Sequence, residues 1–198
     1  MTSKAEKTKQ FIIEKVAPVF NSKGYVDTSL SDVTKITGLT KGSVYGNFKD
    51  KEELALEAFN YNLRKVIHPL SDWINAEENA ANKLKAISNY YRKYYNRTIE
   101  FGGCPILNVG IDANHINIPL KVRVRQVIQK LIISIQTIIE QGQDEMTFKL
   151  EIDANAYAKR IYSMIEGSIF TAMMQNDEEH IKDMMDFLDD MIENNLRV

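Results

Sequence analysis

Residues 28–54 of the chain are TSLSDVTKITGLTKGSVYGNFKDKEEL, in which residues suited to starting helices are followed at short intervals by residues suited to ending them. Thr28 and Ser29 carry side-chain oxygens that can cap a short helix, and Gly38 can end that helix in a left-handed conformation. Thr40 can cap a second helix in the same way. Two short helices joined by a tight turn make a helix-turn-helix, which this stretch therefore predicts.

The second helix of this pair has an unusual outer face. Val44 and Phe48 stand four residues apart and predict its buried side. Gly42 and Gly46 then face solvent, where each glycine costs a helix interior roughly 1 kcal/mol relative to alanine, and this favours close approach of the backbone to a partner. Such a helix can enter the major groove of DNA, where the polar side chains in reach of bases and phosphates are Lys41, Ser43, Tyr45 and Asn47. The alternative is a loosely formed loop in which the glycines only turn the chain.

Longer helices flank this pair. Apolar residues recur at helical spacing over residues 4–22, and Gly24 follows them as a stop. Asp50 can cap a further helix that begins near Lys51. The first helix and the two short ones together predict a three-helix DNA-binding domain.

The charge of the chain is unevenly distributed. The net charge is only -2, but residues 1–51 contain nine Lys and five Asp or Glu, a balance of +4. The remaining residues contain 16 basic and 22 acidic side chains and carry -6. A basic segment on a mildly acidic body favours contact with phosphates at one end, although chance also produces an asymmetry of this size.

The same stretch resembles the DNA-binding signature of TetR-type transcriptional regulators. It shares with that signature, in order and spacing, the initial short helix, the turn at Gly38, the KGSVY run at residues 41–45, Phe48 and the KEEL run at residues 51–54. The family often has a second aromatic residue after the tyrosine, where this chain has Gly46. Beyond residue 60 the resemblance is one of layout.

The resemblance implies a homodimer that binds a palindromic operator in double-stranded DNA and a helical body that binds a small-molecule effector. Repression is more common in this family than activation, and the resemblance implies no cofactor and no enzymatic activity. The predicted domains are a helix-turn-helix DNA-binding domain at residues 1–50 and an effector-binding and dimerisation domain at residues 51–198. The candidate DNA-binding residues are Thr28, Ser29, Thr40, Lys41, Gly42, Ser43, Tyr45, Gly46, Asn47 and Lys51.

The whole chain is predicted to be all-α, because helical periodicity dominates and no convincing strand pattern is found. From about residue 50 onward, the sequence predicts six helices. Their joints fall at residues 68–69, 101–105, 117–119, 142 and 175–179. The helix predicted at residues 119–141 is the central core helix. The last two helices, of which the first begins near Asp153, present small and apolar residues along one side. By the resemblance they would pair with a second copy, whereas packing within one chain explains the same pattern.

Aromatic residues in the body predict part of an effector pocket, although such a stripe is more often core packing than pocket lining. Cys104 is the only cysteine, and Pro105 after it predicts the start of a helix, whose positive end favours a reactive thiolate. Some TetR-like regulators sense oxidants or electrophiles through a cysteine, while a buried hydrophobic thiol is the alternative. The pocket candidates are Trp73, Tyr90, Tyr91, Tyr94, Phe101, Cys104, Met164 and Phe170.

Enzymes and metal proteins find less support in the sequence. There is no HExxH, phosphate-loop or GxSxG motif. The Asp112–His115 and Asp177–His180 spacings resemble half of a di-iron motif, but glutamates from two further helices are not apparent, so no metal site is predicted. A helical enzyme, or an adaptor that does not bind DNA, is the alternative function, and it leaves the two outward glycines unexplained.

Nothing in the sequence indicates a membrane protein or an exported one. The most apolar region, residues 127–139, is interrupted by polar residues and falls short of the roughly 20 apolar residues that a bilayer requires. No secretory signal is visible at the start, and one cysteine cannot form a disulfide within the chain. The predicted location is the cytoplasm.

Overall fold

The computed structural model describes residues 3–114 and 117–198, which form ten α-helices and one π-helical turn. The helices are α1 (Lys4–Lys23), α2 (Leu30–Thr37), α3 (Lys41–Tyr45), α4 (Lys51–Asn75), α5 (Ala80–Arg92), α6 (Tyr94–Glu100), α7 (Pro105–Ala113), α8 (Ile118–Asp144), α9 (Ala154–Gln175) and α10 (Glu179–Met191), and the π-helical turn is Ile192–Leu196. The only extended pairing in these ranges is an isolated antiparallel bridge between Phe148 and Arg197. The predicted all-α class is confirmed.

The chain divides into two compact units. The first contains Met1–Val66 and Glu100–Arg125, and the second contains Ile67–Ile99 and Gln126–Val198. This division groups residues by packing, whereas the boundary predicted at residue 50 separates two functions and stays a prediction. None of the helices in residues 3–114 and 117–198 is both long enough and apolar enough to cross a membrane.

Local hydrogen bonds explain where the helices of the first unit begin. Ser29 caps α2 through a capping box, in which its hydroxyl accepts from the backbone N–H of Asp32 and the Asp32 carboxylate accepts from the backbone of Ser29. Thr40 caps α3, and Asp50 accepts from the backbone N–H of Glu53 at 2.8 Å at the start of α4. The caps predicted at Ser29, Thr40 and Asp50 are therefore confirmed, whereas Thr28, the other residue predicted to cap α2, donates its hydroxyl to the carbonyl of Gly24 instead.

The turn between α2 and α3 depends on glycine. Gly38 lies at φ +69° and ψ 10°, the left-handed conformation predicted for it, and its N–H donates to the carbonyl of Thr34. Residues with a side chain rarely adopt this conformation. Gly24, after α1, also has a positive φ of +88°, but its ψ of 166° lies outside the left-handed helical region. The predicted stop at Gly24 is thus correct in place, although its backbone conformation is more extended.

The prediction of six helices after residue 50 is wrong, because the described residues form seven α-helices there, α4 to α10. The predicted joint at His68–Pro69 lies inside α4, which continues to Asn75. Proline removes one helical hydrogen bond and crowds the preceding turn. Burial of Val66 and Leu70, each 5% exposed, stabilises the helix on both sides of this proline.

A second break divides the tyrosine-rich region. α5 ends at Arg92 and α6 begins at Tyr94, so the four tyrosines in this region belong to two helices. The N–H of Lys93, between them, donates to the carbonyls of Tyr90 and Tyr91, which tightens the last turn of α5. No proline or glycine marks this break in the sequence, and for that reason it was not predicted.

The core of the second unit includes the packing of α9 against α10. The small-residue face predicted on α9 is buried within the chain, with Ala158, Ile161 and Ala172 each 0% exposed. On α10, Ile181 and Leu188 are also buried. The sequence allowed two explanations for this small and apolar face, pairing with a second copy or packing within one chain. Packing within one chain accounts for these residues.

Candidate nucleic-acid interface

The geometry of α3 separates a buried side from an exposed side. Val44 and Phe48 are 1% and 2% exposed, as predicted, whereas Lys41, Gly42 and Tyr45 are exposed. The helix ends at Tyr45 and Gly46 is its C-cap, so only one of the two glycines, Gly42, lies in the helix interior. The sequence predicted two glycines inside one helix. The structure has one glycine inside α3 and the other at its C-terminal end.

Packing within the protein does not require glycine at residue 42. A Cβ atom added at Gly42 would have no heavy atom within 4 Å, apart from the helix's own backbone. At Gly46 the added Cβ would lie 3.3 Å from the carbonyl oxygen of Gly42. Gly142 differs sharply, because its added Cβ would lie 2.1 Å from Cδ2 of Phe148. Gly42 therefore borders open space, whereas a side chain at Gly46 would lie close to the backbone of α3.

Two polar side chains beside these glycines are half-exposed. The side-chain amide of Asn47 donates to the carbonyl of Ser43 at 2.8 Å, which satisfies an acceptor at the end of α3. The N–H of Ser43 donates to the hydroxyl of Thr40 at 3.2 Å. Together these bonds hold the short helix at both ends and leave the Lys41 and Tyr45 side chains on its outer surface.

Of the other predicted contact residues, Thr28 is inaccessible. It is 0% exposed, and its hydroxyl donates to the carbonyl of Gly24 at 2.6 Å. Its polar group is therefore used inside the unit, and its side chain does not reach a partner in this conformation. Ser29 is exposed, but its hydroxyl bonds to Asp32 as the cap of α2. The sequence shows that Thr28 and Ser29 carry hydroxyl groups, but it does not show whether those groups face solvent or bond within the protein.

Lys51 lies at the first position of α4 and is partly enclosed. Its Nζ atom is 4.3 Å from the centroid of the Tyr25 ring and 3.4 Å from the carbonyl oxygen of Val26. Burial lowers the pKa of Lys51, while Asp112, Asp27 and Asp32 act in the opposite direction. The ammonium group thus holds the segment before α2 against the start of α4.

The lysines of the first 51 residues divide into paired and unpaired groups. Lys9 pairs with Glu53 at 3.2 Å and Glu57 at 3.6 Å, and Lys23 pairs with Asp32 at 2.9 Å. The hydrogen bond from Lys23 and those from Ser29 hold the pKa of Asp32 well below its usual range. In the part of the chain that the structure describes, no ion pair involves the exposed lysines Lys4, Lys7, Lys15, Lys35, Lys41 and Lys49.

Two side chains of α7 that no sequence motif points to hold the segment that precedes the helix-turn-helix. The Asp112 carboxylate accepts from the backbone N–H of Tyr25 at 2.5 Å. The side-chain amide of Asn108 donates to the carbonyls of Asn21 and Gly102, both at 2.9 Å. No local motif marks the bonds to Tyr25 and Asn21, since each joins residues 87 positions apart.

The side chain of Asn21, at the end of α1, is part of the same contact. Its Nδ2 atom donates to the carbonyls of Phe101 and Gly103 at 2.7 and 2.9 Å. Asn21 is only 2% exposed, and its Oδ1 atom has no hydrogen-bond partner among the described residues. These bonds join the end of α1 to the loop that leads to Cys104.

The predicted effector-pocket residues belong to different units. Phe101 and Cys104 lie in the first unit, and Cys104 is 2% exposed at the N-cap of α7, with Pro105 at the first helical position as predicted. The other candidates lie in the second unit, where Tyr90, Tyr91 and Tyr94 are buried and Phe170 is 46% exposed. The second unit also has a cleft of about 570 Å³ that Trp73 lines and the other candidates do not.

The three tyrosines pack against one another. The rings of Tyr90 and Tyr91 meet edge to face, with centroids 5.3 Å apart, and those of Tyr91 and Tyr94 do the same at 5.4 Å. Such pairs stabilise a core by about 0.5–1.5 kcal/mol beyond the burial of their area. These residues thus serve as core packing in this conformation.

The histidine spacings do not form a metal site in the part of the chain described. Residues 3–114 and 117–198 contain no group of three or more His, Cys, Asp or Glu side chains placed to hold a metal ion. His180 is exposed, and the Asp177 carboxylate accepts from the backbone N–H of Glu179. The Asp112–His115 spacing involves His115, which lies outside the described residues.

Two family models match the chain. Residues 12–58 match the model for bacterial regulatory proteins of the tetR family, and residues 80–188 match the model for the tetracyclin repressor-like C-terminal domain. The chain is 27% identical over 179 residues to an uncharacterized HTH-type transcriptional regulator, YxaF, of Bacillus subtilis (strain 168), covering 90% of this chain and 91% of that protein. It is also 21% identical over 174 residues to the HTH-type transcriptional repressor DhaR of Mycobacterium sp. (strain GP1), covering 86% and 85%.

Solved structures resemble the chain over nearly its full length. A TetR-family transcriptional regulator from Cytophaga hutchinsonii superposes with a TM-score of 0.91 at 34% identity, covering 100% of this chain and 98% of that one. A TetR transcriptional regulator from Chloroflexus aurantiacus J-10-FL superposes with a TM-score of 0.93 at 31% identity, covering 98% of each chain.

Proposed function

The chain belongs to the TetR family of DNA-binding transcriptional regulators, and we propose that it represses transcription from a palindromic operator until a small-molecule effector releases it. The observation that carries this proposal is the exposed surface of α3, where Lys41, Gly42 and Tyr45 face outward from a helix capped at both ends. Repression and release by an effector need binding but no catalysis, and their site of action is the cytoplasm, where the operator lies.

Operator recognition uses α3 as the reading helix and the residues around it as anchors. Lys41, Ser43 and Tyr45 contact base edges, and the open space at Gly42 admits the groove wall close to the backbone. Lys51 contacts a phosphate while it remains held by Tyr25. Residue 50 marks the functional boundary between this reading domain and the effector-binding and dimerisation domain.

Symmetric reading of a palindrome requires a second copy of the chain. The inward face of α9 is buried in the chain, so we assign dimerisation to its outward face and to the adjoining face of α10. Phe170, Met174 and Phe187 are 46%, 60% and 58% exposed there, and a Cβ atom added at Gly167 meets nothing within 4 Å. Large apolar side chains on an otherwise polar helical surface favour association with a copy of the same surface.

The experiment that tests the proposal is selection of duplexes from a random pool, followed by titration of the selected sequence at several salt concentrations. We expect an imperfect palindrome, two chains per duplex, half-site centres one helical turn or a multiple apart, and affinity that falls steeply as salt rises. Size-exclusion chromatography with light scattering measures the stoichiometry. Enrichment of no sequence, or equal affinity for selected and random duplexes, would contradict operator recognition.

A further inference from the structure

A cleft of about 570 Å³ lies in the second unit, between the end of α4 and the outer face of α5. Its lining includes Asp72, Trp73, Glu77 and Lys85. Its volume lies within the range of about 300–1,000 Å³ that holds small organic ligands. Neither the helix-turn-helix nor the proposed dimer surface uses these residues.

The Trp73 ring packs against the Tyr90 ring and lies close to the ammonium group of Lys93. Its edge packs against the buried Tyr90 ring, with centroids 6.0 Å apart and an interplanar angle of 77°. The ammonium group of Lys93 lies 5.0 Å from the Trp73 centroid. A cation this close to an aromatic face is attracted by the negative potential of the ring. Trp73 remains 36% exposed, so part of the ring is open to solvent.

The charges in the cleft lining favour a positive ligand. Lys85 forms an ion pair with Glu193 at 2.5 Å, which offsets its charge only in part because Glu193 also pairs with Arg197 at 2.9 Å. In residues 3–114 and 117–198, neither Asp72 nor Glu77 forms an ion pair. The lining thus combines an indole ring packed against Tyr90 with two carboxylates that form no ion pair among the described residues, and with one lysine that does form one.

We propose that this cleft binds an organic cation with an apolar body, such as an aryl-alkyl amine or a quaternary ammonium compound. The indole of Trp73 contacts the cation and its apolar body, and Asp72 and Glu77 balance its charge. Neutral ligands of the same shape lose the attraction to the ring and the carboxylates, and anions are repelled. The cation's role as the effector rests on the proposed function, whereas its binding to the cleft does not.

Trp73 allows a direct test, because it is the only tryptophan in the chain. The probes are phenethylammonium, phenethyl alcohol and phenylacetate, which have similar aryl bodies and carry positive, neutral and negative charge. With the full-length protein free of DNA, we expect phenethylammonium to change the tryptophan emission saturably and the other two to bind at least about tenfold more weakly. Equal responses to the three probes would overturn the proposal.

Two neighbouring glutamates provide a matched pair of variants. Glu77→Gln removes a carboxylate from the cleft lining, and Glu78→Gln makes the same change at the next residue, which does not line the cleft. We expect Glu77→Gln to weaken phenethylammonium binding about fivefold and Glu78→Gln to leave it nearly unchanged. We also expect Lys93→Gln to strengthen binding, because it removes the cation already at the ring. Equal effects of the two glutamate variants, or weaker binding by Lys93→Gln, would count against the site.

Operator titration with and without phenethylammonium then separates binding from regulation. Lower operator affinity in the wild type, with about fivefold more phenethylammonium needed for the same loss in Glu77→Gln, would identify the cleft as an effector site. A fluorescence response without any effect on operator affinity would retain the cation site and overturn its role in regulation. The fluorescence titration contains no DNA, so it tests the cleft even if operator recognition itself fails.

Discussion

The carboxylate of Asp112, in α7, accepts a hydrogen bond of 2.5 Å from the backbone N–H of Tyr25, 87 residues earlier in the chain. On the ring of the same Tyr25 lies the ammonium group of Lys51, 4.3 Å from the centroid. The segment between α1 and α2 is therefore held by one residue of α7 and one residue of α4. The start of α2 depends on this segment, so the position of the helix-turn-helix depends on both contacts.

Asp112→Ala removes the acceptor for the Tyr25 N–H. We expect the free energy of unfolding to fall by about 1–3 kcal/mol, because a hydrogen bond to a charged group is lost. We also expect weaker operator binding, because the entry to α2 is less well fixed, and an intermediate loss in Asp112→Asn. Urea denaturation and DNA titration measure the two effects. Asp144→Ala, an exposed aspartate on α8, is the control, and an equally large loss there would show that the contact with Tyr25 is not the cause.

Gly42→Ala separates folding from DNA binding. The added methyl group meets nothing within 4 Å beyond its own helix, so we expect a free energy of unfolding that is unchanged or higher by up to about 1 kcal/mol. We expect operator affinity to fall by roughly tenfold, because the methyl group occupies space needed for close approach to the groove. Gly46→Ala and Gly46→Leu test the second position. Wild-type affinity in all three variants would show that close approach plays no part.

Two lysines are expected to differ in how they affect sequence preference. Lys51→Ala removes a charge at the start of α4 together with the contacts to Tyr25 and Val26. It should weaken binding to all duplexes alike and lower the slope of log affinity against log salt by about 1. Lys41→Ala should instead change the ranking of related operator sequences, since Lys41 is on the exposed side of α3. Lys130→Ala, an exposed lysine on α8, is the charge-matched control. Similar changes in ranking from both α3 and α4 variants would contradict this division.

Cys104 tests whether an electrophile can act as the effector. Its thiol is 2% exposed, so we expect a maleimide reagent to react with the native protein much more slowly than with the urea-unfolded protein. We accordingly expect mild oxidant or a quinone to leave operator binding unchanged in both the wild type and Cys104→Ser. Loss in the wild type alone, reversed by reductant after oxidation, would instead identify Cys104 as a sensor.

The positions of the reading helices could be predicted from the sequence because the interactions that start and end them are local. The Ser29 capping box joins residues three apart, and the Asp50 cap does the same. Gly38 ends α2 through its own backbone conformation. Val44 and Phe48 follow from helical periodicity, and both are buried. Each of these features depends on residues within about one helical turn.

Other features were decided by contacts between residues far apart in the chain. The continuation of α4 through Pro69 depends on burial on either side, which outweighs a local signal for ending the helix. Whether Thr28 faced DNA or the interior depended on which neighbours cover it, and Asp112 carries no motif that points to Tyr25. The caps, turns and buried faces of the reading domain were thus determined by the sequence itself, since local hydrogen bonds and periodicity act within one turn. The support behind that domain was decided only by the tertiary structure, because its hydrogen bonds join groups that folding alone brings together.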